Sequence, residues 1–340
     1  MTSGGETPGL VCAHHHLYST LARGMPAPPR VARDFPQILE LVWWRLDRAL
    51  DLEMVRWSAM LGALEALQRG TTAIVDHHSS PNAIEGSLDV IAQACAQVGV
   101  RVRCCYEVTD RNGSDGTAAG LAENDRFLRA GGQGFVGAHA CFTLSESTLE
   151  AVAGLALDLG AGVHIHVCED RVDAPAGARL EGVARDNWLL AHCVHLDRPL
   201  RGTVVHNPRS NMNNAVGYAH PARLANPVAL GTDGIGADML EEFRVAYARH
   251  READVTATPL EAWQWLQGGY ELVPEARADR VRWSYDPMDP WHLAFTPGVS
   301  PIEVVVDGEV VFADGRPTRV DPIEIRAKAN EQAARLFALL

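Results

Sequence analysis

Short apolar runs of β character recur along the chain, most of them followed by a stretch whose apolar positions are spaced three and four apart. The runs are Leu10 to His16, Thr72 to His78, Val100 to Val108, Phe135 to Phe142, Gly162 to Cys168, Trp188 to Val194, Thr203 to Asn207 and Val228 to Thr232. Helical spacing appears over Glu53 to Arg69, Ala83 to Val98, Thr117 to Ala130 and Ser145 to Leu159; the last opens with an N-cap serine and an acidic first turn. Strands alternating with helices predict a parallel sheet, and eight such units predict a (β/α)8 barrel of the TIM type. An open doubly wound sheet is the alternative, but no G-x-G-x-x-G follows any run.

Between the first run and Glu53 a Gly/Pro-rich stretch, Gly24 to Pro29, leads to a predicted helix over Phe35 to Leu50 that contains Trp43-Trp44. Placed after the first strand, it either overhangs the barrel mouth as a lid or packs there as a plain insertion. Helices over Leu240 to Arg251 and Pro259 to Gln267 complete the barrel. The pattern then changes to strands at Arg280 to Tyr285 and Glu303 to Phe312, the latter folded back through Asp307-Gly308, a type I′ turn signal. A last helix covers Ile323 to Leu339. The chain thus divides into a barrel over 9–271, a small β-sandwich appendage over 272–318 and a C-terminal helix over 319–340 packed on the barrel. Roughly ten residues join the sixth and seventh strands, at the lower limit for a helical crossover, and the next connection is also lean. The expectation is that segments between these strands, and the first strands of the sandwich, are missing from the chain.

Polar residues gather where the strands end. His14 and His16 alternate with His15, so two imidazoles share a face and can share a metal ion. Further on come His166 with Glu169 three residues later, then His192, then Asp233 in Thr232-Asp233-Gly234. In a barrel all of these fall on the catalytic face. His164 lies on the same strand face as His166 and is an alternative ligand. Three nitrogens and one carboxylate suit Zn²⁺ or Fe²⁺ with an open position for water, whose pKa the ion lowers toward about 7. Asp233 can take the water's proton, Glu169 can carry one to a substrate ring and then to the leaving group, and His192 can orient the attacked carbon. Glu107, His139, Arg209 and Asn211 are candidate substrate contacts.

Composition narrows the partners. A net charge of −13 argues against nucleic acid and anionic membranes; the metal-type cluster points to a small-molecule substrate, and a homo-oligomer stays open. No apolar run approaches the ~20 residues of a membrane span. The seven cysteines show no C-x-x-C spacing and sit in apolar runs, as in a reduced, cytoplasmic protein.

The pattern Pro8-Gly9…His14-x-His16, His166-x-x-Glu169, His192 and Thr232-Asp233-Gly234 resembles the amidohydrolase superfamily, in its cytosine, guanine and chlorotriazine aminohydrolase branch. His14-His15-His16-Leu17-Tyr18 is similar to the 8-oxoguanine and isoxanthopterin deaminases. The stretches Tyr106 to Gly113 and Val205 to Asn214 look like SsnA-type aminohydrolases. The resemblance implies a barrel with a small β-sandwich, metal ligands at His14, His16, His166 and Asp233, and catalytic roles for Glu169 and His192. It implies hydrolytic deamination of a nitrogen heterocycle, purine- or pterin-like, by metal-bound hydroxide. Displacement of an alkylamine or chloride from a triazine-like ring, and a non-catalytic barrel of selenium or purine metabolism, are the competing readings. Binuclear members of the superfamily bridge their metals with a carboxylated lysine on the fourth strand. Lys328 is the only lysine here, so a single Zn²⁺ or Fe²⁺ is expected and a Schiff-base mechanism is excluded.

Overall fold

The computed structural model describes residues 5–340. After a short strand β1 (Glu6–Thr7), eight parallel strands follow: β2 (Leu10–His15), β3 (Thr71–His78), β4 (Arg101–Tyr106), β5 (Val136–Ala140), β6 (Val163–Val167), β7 (Leu189–His192), β8 (Thr203–His206) and β9 (Val228–Leu230). They form two sheets, β2-β3-β4 and β5-β6-β7-β8-β9. Isolated parallel bridges Cys104↔Gly134 and Val108↔Ala138 join β4 to β5, and His15↔Asp233 joins the end of β9 back to β2. The fold is therefore the (β/α)8 barrel read from the alternation of runs.

The lower interior is filled by small and branched side chains, Val11, Ala13, Ala73, Val75, Ala191 and Val205 among them. Above this plug the inward positions turn polar. Helices Leu52–Leu67, Ser87–Val98, Gly113–Arg129 and Glu146–Leu159 cross between strands, and two of them start at side-chain caps the sequence supplies: Asp51 accepts from Met54 N (2.8 Å) and Ser145 from Thr148 N (3.2 Å). The connections judged too short are crossed mostly without full helices. Turns alone lead from β7 to β8, and a helix Pro208–Asn213 plus a 3₁₀ turn Pro221–Arg223 lead to β9.

Beside the barrel lies one antiparallel sheet in the order β1, β10 (Arg280–Trp283), β11 (Pro301–Val306), β12 (Glu309–Ala313) and β13 (Arg316–Pro317). Asp307 (φ 52°) and Gly308 (φ 79°) make the I′ hairpin, and Asp314-Gly315 repeats it at 51° and 77°. The sheet that the sequence presents as an incomplete sandwich thus has five strands, the first supplied from ahead of the barrel. The helix Pro322–Phe337 packs on Leu52–Leu67, and Arg335 reaches Asp51 at 2.7 Å. Among the described residues no helix is long and apolar enough to cross a membrane.

Candidate active site

Each site residue sits where its strand leaves regular geometry. Along β2 the register against β3 slips by one residue between Cys12 and His15. Without that bulge the inward parity of Val11 and Ala13 would send the rings of His14 and His16 outward; with it both turn in. His15 turns away and meets Thr232 Oγ1 at 2.9 Å. On β6, His164 and His166 both face inward, while Val163, Ile165 and Val167 join the outer core. His192 (φ 73°) and Asp233 (φ 53°) have left-handed backbones that re-aim them at strand ends.

The result is a tight cluster. Asp233 Oδ1 lies 2.9 Å from His16 Nε2 and 3.4 Å from His14 Nε2, and the Nε2 atoms of His16 and His166 are 3.2 Å apart. His14, His166, His192 and Asp233 bring donor atoms within 4.8 Å of one another. The far nitrogens are tied down. His16 Nδ1 donates to His77 O (2.6 Å), and His166 Nδ1 donates to His139 O (2.9 Å). A carbonyl only accepts, so both Nδ1 atoms carry a proton, and in the neutral rings that bind a metal both Nε2 atoms turn a lone pair inward. Two such lone pairs at 3.2 Å repel unless a cation lies between them; nitrogens bound to one Zn²⁺ at ~2.1 Å are about 3.0–3.4 Å apart. His14 Nε2 and His192 Nε2 are buried with no hydrogen-bond partner. The donor chemistry thus fits a divalent metal, and His14, His16, His166 and Asp233 are the residues that would hold it.

Before a metal binds, burial opposes a charge on His16, yet Asp233 raises its pKa to about 9, so a proton sits on Nε2 toward Asp233 until a metal replaces it; at His14 burial dominates and lowers the pKa to about 3. Burial also opposes the charge on Asp233, but the two histidines hold its carboxyl well below the usual range. Glu169 behaves oppositely: burial first, then the nearby Asp233, raises its pKa well above that of an ordinary glutamate. Its Oε2 is 3.6 Å from His192 Nε2, and Oε1 accepts from Asn214 at 3.3 Å.

Of the expected substrate contacts, Glu107 and His139 line one cavity together with His16, His166, Glu169 and Asp233. Arg209 and Asn211 do not. The Arg209 guanidinium pairs with buried Glu242 and donates to Gly236 O, and Asn211 Oδ1 accepts from His192 Nδ1 (2.8 Å), so Asn211 acts through the histidine. His164 is no direct alternative to His166: its Nε2 meets His14 Nδ1 at 2.8 Å. The helical segment 35–49 roofs the cavity with Phe35, Leu39, Trp43, Trp44 and Asp47, and it packs on Val194, Val216 and Ala219. Both readings of that segment hold at once.

Some residues lay unassigned in the quoted runs. His77 Nδ1 is 3.5 Å from Glu107 Oε2, and its shared face with Ala73 and Val75 was the available signal. Ser210 donates to Asp233 Oδ2, and Asn214 lies one helical turn on.

Residues 7–267 match the model of the amidohydrolase family, and the chain belongs to that family. It is a hydrolase of carbon–nitrogen bonds other than peptide bonds. Among its relatives is the 5'-deoxyadenosine deaminase of Methanopyrus kandleri, 30% identical over 385 residues that cover 97% of this chain and 86% of the relative. The 5-methylthioadenosine/S-adenosylhomocysteine deaminase of Desulforudis audaxviator is 30% identical over 387 residues, with the same coverage. Both alignments are longer than the 340-residue chain, so these relatives carry internal residues that this chain lacks. Among solved structures, a zinc-bound adenosine deaminase from Xanthomonas campestris superposes with a TM-score of 0.82 at 23% identity over 98% of this chain and 86% of its own. A zinc-complexed atrazine chlorohydrolase from Arthrobacter aurescens superposes with a TM-score of 0.76 at 22% identity, over 96% and 88%.

Proposed function

We propose that this chain is a mononuclear, metal-dependent hydrolytic deaminase of a purine-like heterocycle that releases ammonia, with adenine nucleosides altered at the 5' position as the first substrates to try. The observation that carries the reading is the convergence of three inward nitrogens and the Asp233 carboxylate beside the Glu169–His192 pair. The two deaminase relatives, each 30% identical over most of the chain, support the nucleoside assignment. When bound, a divalent ion, Zn²⁺ before Fe²⁺, supplies Lewis acidity and a water of lowered pKa.

The residues do the rest. Asp233, with Oδ2 held by Ser210, is the base for the water's proton. Glu169 enters neutral because burial favours its protonated form, so it can donate to a ring nitrogen and regain a proton from the added hydroxyl, while the proton that Asp233 took from the water passes to the departing amine. His192, oriented by Asn211, presents Nε2 beside Glu169 and steadies the oxygen added to the ring. The lid residues exclude bulk water. The buried, free cysteines support a reducing compartment, hence a cytoplasmic enzyme.

The test is metal content together with ammonia release over 5'-deoxyadenosine, 5'-methylthioadenosine, aminopterins and aminopyrimidines. Turnover of an adenine nucleoside with one equivalent of metal is expected. Bound metal without ammonia from any of them would reject the deaminase reading.

A further inference from the structure

The cavity is built from acids and aromatic rings. Asp47, Glu107, Glu169 and Asp233 line it, and no lysine or arginine does. Arg111, behind that wall, has its terminal guanidinium nitrogens engaged there, and only its Nε lacks a partner. Its guanidinium pairs with Asp47, reaches Glu107 Oε1 at 3.6 Å, donates to Ser79 Oγ at 3.1 Å and lies over the Trp44 ring at 5.2 Å. The Asp47 and Arg111 side chains are 2% and 9% exposed, so the pair is sealed from solvent. Arg209 is held by Glu242 in the same way. At the floor, Asp233 offsets one of the two charges of a divalent ion and the neutral histidines none, so a single positive charge remains at the ion, while the side chains around it add the acids Asp47, Glu107 and Glu169. A carboxylate or phosphate on the substrate would thus be desolvated against carboxylates with no donor fork to receive it. A hydroxyl or ammonium would instead find acceptors in Asp47 and Glu107.

We propose that the cavity accepts a planar heterocycle whose substituent is neutral or cationic and rejects one that carries a carboxylate or phosphate, with the sealed Asp47–Arg111–Glu107 group setting the preference. This rests on the deaminase reading above and narrows its substrate class.

Three nucleosides of similar size separate charge from shape: 5'-amino-5'-deoxyinosine, inosine and inosine-5'-carboxylate. They lack the leaving amine and serve as ligands in calorimetric titration of the zinc-loaded wild type. The carboxylate is expected to bind at least tenfold more weakly than inosine, and the amine at least as tightly as inosine. A loss below tenfold for the carboxylate overturns the proposal. So does an equal loss for the amine, which would mean a steric limit. Asp47→Asn, which leaves the Arg111 guanidinium partly free, is expected to narrow the gap between carboxylate and inosine; an unchanged gap overturns the role of that pair. If none of the three binds, the nucleoside reading fails by itself. The same comparison then passes to 6-hydroxymethylpterin and pterin-6-carboxylate, and the anion must again be the weaker ligand by tenfold or more for the proposal to stand.

Discussion

The protons of the buried imidazoles follow one direction, set by backbone carbonyls. Cys105 Sγ is 3.5 Å from Asp76 O and 3.6 Å from His164 Nδ1, and His164 Nε2 meets His14 Nδ1. The thiol donates to the carbonyl, His164 Nδ1 donates to sulfur, and His164 Nε2 is left to accept from His14. Burial keeps His164 neutral, so the acceptor is available. His14 Nε2 thereby keeps its lone pair for the metal. His164→Leu should leave the His14 Nδ1–H without a partner and weaken zinc binding by about 10–100-fold, read by chelator competition, while His164→Gln restores most of it. Equal affinity in the leucine variant would refute the role. Glu169 answers to a different readout. Glu169→Gln should keep the metal and lower kcat by about 10²–10⁴, whereas His16→Ala should lose the metal itself. Full activity in Glu169→Gln would end the proton-carrier assignment. These residues were legible because metal and acid–base chemistry admits few side-chain types. Type alone is ambiguous at Arg209 and Asn211: both suit a substrate, and only packing shows that Glu242 and His192 engage them.

At the level of elements, the site depends on departures from regular strands. The β2 bulge and the left-handed residues at the ends of β7 and β9 are invisible to a two-residue period. Period alone gave the relative faces of His14, His15 and His16 correctly, but it would have aimed all three the wrong way relative to Val11 and Ala13. The hairpin at Asp307-Gly308 was legible because its turn chemistry is local, and the equal signal at Asp314-Gly315 was there to be read. The strand β1 was not, since two residues carry no period and its partner β10 is distant in sequence. Contact between β9 and β2 depends on Gly231. A Cβ there would lie 2.4 Å from Asn207 Oδ1 and 2.8 Å from both N and Cβ of His14. Gly231→Ala must therefore push β2 and its first ligand away. Expected are a loss of stability of about 1–3 kcal/mol in urea unfolding and a weaker metal site by chelator competition. Unchanged metal affinity would show that the seam tolerates the movement.

In the whole molecule, the proposed metal ligands span a division of the barrel. His14 and His16 come from the three-stranded sheet, while His166 and Asp233 come from the five-stranded one and its exit. Between β9 and β2 the ladder is reduced to the single bridge His15↔Asp233, with Thr232 N and Asp233 N donating to His14 O at 2.9 and 3.1 Å. An ion held by both sheets would tie that seam, and it would bind the folded chain alone, because the unfolded chain does not gather these four residues. By linkage, free zinc at about a thousand times its Kd adds about 4 kcal/mol to stability. With an unfolding entropy of about 2 cal/mol/K per residue, a chain of 340 residues should lose about 6 °C in melting temperature when stripped by a chelator. Glu169→Gln keeps all four ligands and should show the same drop. His16→Ala should melt at the stripped temperature with or without chelator. A wild type verified as metal-free by elemental analysis, yet melting where the loaded protein does, would mean that the ligands are held by the barrel alone and that the ion contributes chemistry without tying the two sheets together.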